Sequence, residues 1–172
     1  QLERLESADL ENALREGAVA VAEVAALAHE KSVIDAALVA AGAGTGVAWG
    51  VSTADPVADV DAAILGVVKA AKYGSLMGVG VLFGASAWVR FKNADKVRGR
   101  FIVGRTVGGR GEGVVCPTEA TATNLFVGSP EVRTSYMVYD DAAPGLAEDV
   151  KFLLDDTVLV FAIVVSSVLL QV

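Results

Sequence analysis

One cysteine and one histidine are all that this chain offers to the chemistries that depend on them. A lone Cys116 excludes an internal disulfide and any multi-cysteine metal site. It reads instead as a small buried hydrophobe. A lone His29 would need carboxylates alone beside it to hold a metal, and it falls on a helical stretch where a surface or interface position is expected. A run of about 20 apolar residues able to cross a bilayer is also missing. The longest candidate, Thr157 to Val172, follows Asp155-Asp156, is broken by Ser166-Ser167 and is rich in β-branched residues, which favour strands. Positive charge is scarce: 14 Lys and Arg stand against 21 Asp and Glu, a net charge of −7. That argues against a nucleic-acid binder, because phosphate contacts need clustered cations. Only Lys92, Lys96, Arg98, Arg100, Arg105 and Arg110 make a locally basic stretch, which reads as a solvated helix face and loop.

Catalytic signatures are lacking as well. Gly42-Ala43-Gly44-Thr45-Gly46 invites a nucleotide-loop reading and fails in detail. The dinucleotide fingerprint needs a third glycine where Val47 stands, and it needs a strand before the loop rather than a helix. No Lys-Ser/Thr pair follows, as a P-loop requires. Ser, His29 and Asp all exist, but no G-x-S-x-G elbow supports a triad. Asp140-Asp141 and Asp155-Asp156 are adjacent pairs, and neighbours on a strand point to opposite faces. Turn and strand-end roles suit them better than a carboxylate dyad. Asp140, Asp141, Glu148 and Asp149 match no calcium-loop spacing. The expectation is therefore no catalytic residue, no cofactor and no metal.

What is abundant is apolar surface. Hydrophobic residues make up 53% of the 172, much of it Ala and Val, and the mean hydropathy is +0.52. A chain of this length builds one domain, or one domain with lobes. Without a membrane span, subunit interfaces are the natural sink for the excess.

Leu2 to Ala41 reads as one long helix, with Leu10, Leu14, Val21, Val24 and Ala28 near the helical period. Glu11 and Arg15 are spaced for an ion pair, Gly17 weakens the middle or marks a bend, Glu30 to Leu38 continues the helix or restarts it, and Gly42 to Gly46 ends it. Asp59 to Tyr73 is a second amphipathic helix, led by Asp59 or Asp61 and burying Val60, Ile64, Val67, Val68 and Ala71, with Gly74 as its stop. Val79 to Phe83 is a buried strand stopped by Gly84. Trp88 and the basic stretch Arg90 to Arg100 follow as a helix. Phe101 to Pro117 is a Gly-rich connection, Thr118 to Asn124 a short helix, and Leu125-Phe126-Val127 resumes β-character. Val132 to Asp140 reads as one strand. Phe152 to Leu154 and Val158 to Val165 read as a hairpin about Asp155-Asp156. The order is α+β in character.

In this order the segments resemble the major capsid proteins of tailed bacteriophages, which have the Hong Kong 97-type fold. Leu10 to Ala41 is similar to that family's spine helix. Trp49 in a loop, then Asp55-Pro56-Val57-Ala58-Asp59-Val60, is similar to its entry into the next helix. Val79 to Phe101, with Trp88, is similar to its strand, small-residue turn and aromatic-bearing helix. Phe126-Val127-Gly128-Ser129 with Arg133-Thr134-Ser135-Tyr136, and Leu154-Asp155-Asp156-Thr157 before an apolar strand, complete the set. The family's N-terminal arm and extended β-hairpin loop precede the spine helix and are not in this sequence, which starts at Gln1 and not at Met. An N-terminal part removed, or outside the piece seen, is the expectation. The Lys–Asn cross-link of some relatives is not carried over, since the loop holding its Lys is absent.

The resemblance implies a long spine helix, a central axial lobe and a peripheral lobe with β-strands. Residues 1–50 would be the spine helix and following loop of the peripheral lobe, 51–130 the axial lobe, and 131–172 the return strands of the peripheral lobe. It implies a non-enzymatic shell subunit that assembles with itself into pentamers and hexamers in the host bacterial cytoplasm. It would enclose double-stranded DNA without sequence-specific binding and without a membrane, ending in the virion. Portal, scaffold and decoration proteins are the other partners it admits. The encapsulin nanocompartment shell is a close alternative. A nucleotide-binding α/β enzyme and a membrane-anchored protein are more distant ones. In the shell reading the basic helix pairs with acidic parts of neighbouring subunits.

Overall fold

The structure is a computed structural model that describes residues 2–42, 44, 46–71, 78–101, 117–142 and 147–162, with side chains from residue 9 onward. The architecture is mixed α+β, with a long N-terminal helix and two small sheets. The chain divides into two compact units, Gln1–Gly44 and Thr45–Val172. No helix among the described residues is long and apolar enough to cross a membrane.

The first unit is α1, Leu2–Ala41. At 1.5 Å per residue it is about 60 Å long. It runs through Gly17 without a break. Gly42 ends it with φ +73 and an N–H donated to the Val39 carbonyl at 3.2 Å, a left-handed stop that suits glycine. Among its described side chains Lys31 and Asp35 form an ion pair at 2.7 Å, and the expected Glu11–Arg15 pair does not form. The apolar positions Leu10, Leu14, Val21 and Val24 are 63–70% exposed.

The second unit opens with α2, Pro56–Ala71. It begins earlier than the expected Asp59 because Asp55 heads it. The Asp55 carboxylate accepts from the Ala58 N–H at 3.3 Å, and its carbonyl from the Asp59 N–H at 3.1 Å. Pro56 suits the first helical position, where a missing N–H costs nothing. Val57, Val60 and Ile64 are buried. The expected stop at Tyr73-Gly74 lies outside the described residues.

Strand β1, Val79–Phe83, is the centre of a three-stranded sheet. β2, Glu131–Thr134, runs parallel to it, with Val81 opposite Val132. β5, Val158–Ala162, runs antiparallel on its other side, with Gly80 opposite Phe161. Both flanking strands come from the span 131–172, and both hydrogen-bond to a strand of the span 51–130. The expected hairpin of 152–154 with 158–165 does not form. Its second arm, as far as Ala162, pairs with β1, and of its first arm only Phe152 belongs to a strand, β4, Val150–Phe152, which pairs with β3, Val138–Asp140, in a separate two-stranded ribbon. The expected single strand Val132–Asp140 is likewise split. Ser135 donates its N–H to the Phe83 carbonyl at 2.8 Å, closing the edge of β1, and the chain then leaves for the ribbon.

The basic stretch after β1 forms two helices, α3, Ala85–Asn93, and α4, Asp95–Phe101. The interruption is Ala94, extended at ψ 131 and buried in the core. A short α5, Glu119–Thr123, is held by a reciprocal capping box between Thr118 and Thr121. Leu125-Phe126-Val127 is a turn, not a strand. Its Ser129 N–H donates to the Phe126 carbonyl at 3.2 Å, with Gly128 and Ser129 at positive φ.

Phe83 and Phe91 are the paired centre of the core, and each packs against the rings of Trp49, Trp88 and Phe126. The Phe83 ring lies 5.2 Å from Trp88, 5.1 Å from Phe91, 6.3 Å from Trp49 and 6.3 Å from Phe126. β1, α3, the loop before α2 and the turn after α5 thus meet on one side chain. Such aromatic pairs add about 0.5–1.5 kcal/mol each beyond the area they bury.

Candidate functional site

The head of α3 is held by a segment far along the chain. A helix start leaves N–H groups without partners, and Gly84 has no side chain to cap them. A turn far along the chain does so instead. The Leu154 carbonyl accepts from the Ala85 N–H at 3.0 Å, and the Asp155 carbonyl from the Ala87 N–H at 3.2 Å. The Asp155 carboxylate accepts from the Ser86 N–H at 3.3 Å, and Asp156 pairs with Arg90 at 2.9 Å. Negative charge here is also favoured by the helix dipole. Gly84 is required by proximity, since a Cβ there would run into the Asp155 carbonyl. Asp155-Asp156 is thus an intramolecular cap, in keeping with its turn reading.

Asp140-Asp141 occupies the other acidic corner. The Asp140 carboxylate accepts from the N–H groups of Ala142 and Asp149, both at 2.9 Å. These bonds, Ala142 first, hold its pKa below the ordinary value of 3.8. Lys151 lies between Asp141 at 2.7 Å and Asp149 at 2.8 Å. The two carboxylates, Asp141 first, push its pKa above the ordinary 10.5. These oxygens serve to close the turn between β3 and β4.

His29 is exposed on α1, and its carbonyl accepts from the Ser32 hydroxyl at 3.0 Å. Of the Gly42–Gly46 loop, Gly42, Gly44 and Gly46 are described, and only the helix stop at Gly42 has a defined role. Cys116, Arg105 and Arg110 lie outside the described residues. Among the described residues no three His, Cys, Asp or Glu side chains gather where a metal could bind.

Three cations of the basic stretch are held within the chain. Arg90 pairs with Asp156, and Lys96 and Arg100 approach Asp55 at 3.6 and 3.5 Å. Lys92 lies over the Trp88 ring, 5.8 Å from its centroid. Arg98 is exposed and has no ion-pair partner among the described residues. Sequence reading missed the Asp55 cluster, although Asp-Pro at a helix head was a usable signal for a cap.

The chain matches no protein-family model, no curated protein and no solved structure.

Proposed function

We propose that the chain is a structural subunit of an icosahedral bacteriophage capsid with the Hong Kong 97-type fold. It assembles with itself into pentamers and hexamers that enclose double-stranded DNA. The observation that supports the reading most is that four of the residues behind the resemblance, Trp49, Asp55, Asp59 and Trp88, fix the entry to α2 and the aromatic core. Trp49 and Trp88 both pack against the Phe83–Phe91 pair, and Asp55 and Asp59 of the Asp-Pro-x-x-Asp segment fix the entry to α2.

The apolar residues along α1, which one helix by itself cannot bury, support the reading, since exposed apolar surface marks sites of association. So does the net negative charge, which leaves an enclosed genome free to move. The subunit does no chemistry in this role. It is made in the host bacterial cytoplasm and ends in the virion, where portal, scaffold and decoration proteins are its other partners.

Negative-stain microscopy of the purified full-length protein tests the proposal. Uniform closed shells or capsomer rings are expected, and monomers alone at high concentration would overturn it. Recombinant expression with a packaging-competent phage separates the two kinds of shell. Nuclease-resistant DNA inside the particles fits a capsid, and protein cargo in its place fits an encapsulin.

A further inference from the structure

Residues directly opposite one another in an antiparallel ribbon share a face, and alternate residues along each strand share it too. In β3–β4, Val138 is opposite Phe152 and Asp140 is opposite Val150. One face therefore gathers Val138, Val150 and Phe152, which are 44, 57 and 43% exposed, with Asp140 on it at the turn end. The ribbon is separate from the three-stranded sheet. Two strands with an uncovered apolar face are marginal by themselves, and covering that face would stabilise them. The turn end of the ribbon carries Asp140, Asp141, Glu148 and Asp149 against Lys151. Asp140, Asp141 and Asp149 already have partners. Glu148 is exposed with no ion-pair partner among the described residues.

The opposite sign predominates on α3 and α4, where Arg90, Lys92, Lys96, Arg98 and Arg100 stand against Asp95. Val89 is 49% exposed, with Lys92 and Asn93 one turn further along the same helix face. Arg98, exposed on α4, has no ion-pair partner among the described residues.

We infer that the β3–β4 ribbon of one copy seats on the α3–α4 face of the next copy, its apolar side covering Val89 and its acidic turn meeting Arg98. This rests on the shell reading and names the surfaces that build the ring. Two different patches of one chain make a head-to-tail contact, and such contacts close into rings when the rotation allows. A patch that paired with itself would stop at a dimer.

Exchanging the two charges tests the contact. Arg98→Glu and Glu148→Arg, each alone in the full-length chain, place like charges together. Each is expected to keep the wild-type circular dichroism and to need about tenfold more protein to assemble in sedimentation velocity. The chain carrying both is expected to assemble at the wild-type concentration, because the pair is re-formed with its signs exchanged. Val150→Thr, which keeps strand propensity and adds a hydroxyl to the apolar face, is expected to weaken assembly and to resist rescue by either reversal. Single reversals that assemble like the wild type, or a double reversal no better than the singles, overturn the contact and leave the shell reading standing. A wild-type chain that remains monomeric overturns both.

Discussion

The indole N–H of Trp49 donates to the Asp59 carboxylate at 2.9 Å, ten residues along the chain and partly buried. One bond ties an irregular loop to the first turn of α2 while the indole ring packs near Phe83 and Phe91. A hydrogen bond to a charged group contributes about 1.5–3 kcal/mol. Asp59→Ala is expected to lower unfolding free energy by about 2 kcal/mol in urea titration. Trp49→Phe keeps most of the packing and loses the donor. A double-mutant cycle between the two should show coupling, since the residues share one contact. Strict additivity would mean that the bond contributes nothing.

Trp88 is 4% exposed and is packed against Phe83 and Phe91. Trp88→Ala is expected to cost about 3–5 kcal/mol, as large-to-small changes in aromatic cores do. Trp88→Phe should cost less, because it keeps a ring in the cluster. An unchanged denaturation midpoint for the alanine variant would contradict the packing.

Much of this core was legible in the sequence, and the reason is locality. α1 and β1 were read at their observed bounds, because periodicity and a terminating glycine are written within a few residues. α2 was read too short at its start, since a cap at Asp55 competes with acids further in. The β-pairing was not legible. Val158–Ala162 looked like the return arm of a hairpin, yet its partner is β1, far earlier in the chain. Nothing near residue 135 announces that its N–H belongs to Phe83. Asp155 was read as a turn residue, which it is. That the turn caps α3 depends on a fold that local pattern does not encode.

Two glycines separate a rigid contact from an adaptable one. A Cβ at Gly84 meets backbone, the Asp155 carbonyl, whereas one at Gly80 meets the ring of Phe161 at 2.6 Å. Gly84→Ala is expected to cost about 3 kcal/mol, at the upper end of overpacking penalties, with no rescue by side-chain substitution at Asp155. Gly80→Ala should cost less, and adding Phe161→Leu should restore part of the loss. Chemical denaturation of the four variants tests this, and equal behaviour at both sites would refute the distinction.

Asp140 gives the β3–β4 turn a pH dependence with a definite sign. Its pKa is lower folded than unfolded, so its contribution to stability is complete above the unfolded value near 3.8 and is lost as pH falls through the folded value. The amide protons of Ala142 and Asp149 should therefore titrate together, with a shared midpoint below 3.8, in NMR spectra. Asp140→Asn should abolish that titration. Independent midpoints would show that the carboxylate does not bridge the two amides.

The cap on α3 is supplied from 69 residues downstream, where Asp155 receives the Ser86 N–H. During synthesis the ribosome releases the strand and the aromatic helix long before the turn that completes them. Until residues 154–162 emerge, β1 lacks its antiparallel neighbour and the helix lacks its seat. A chain stopped short of that point cannot finish its core. The completed fold is therefore withheld until residues 154–162 have been made.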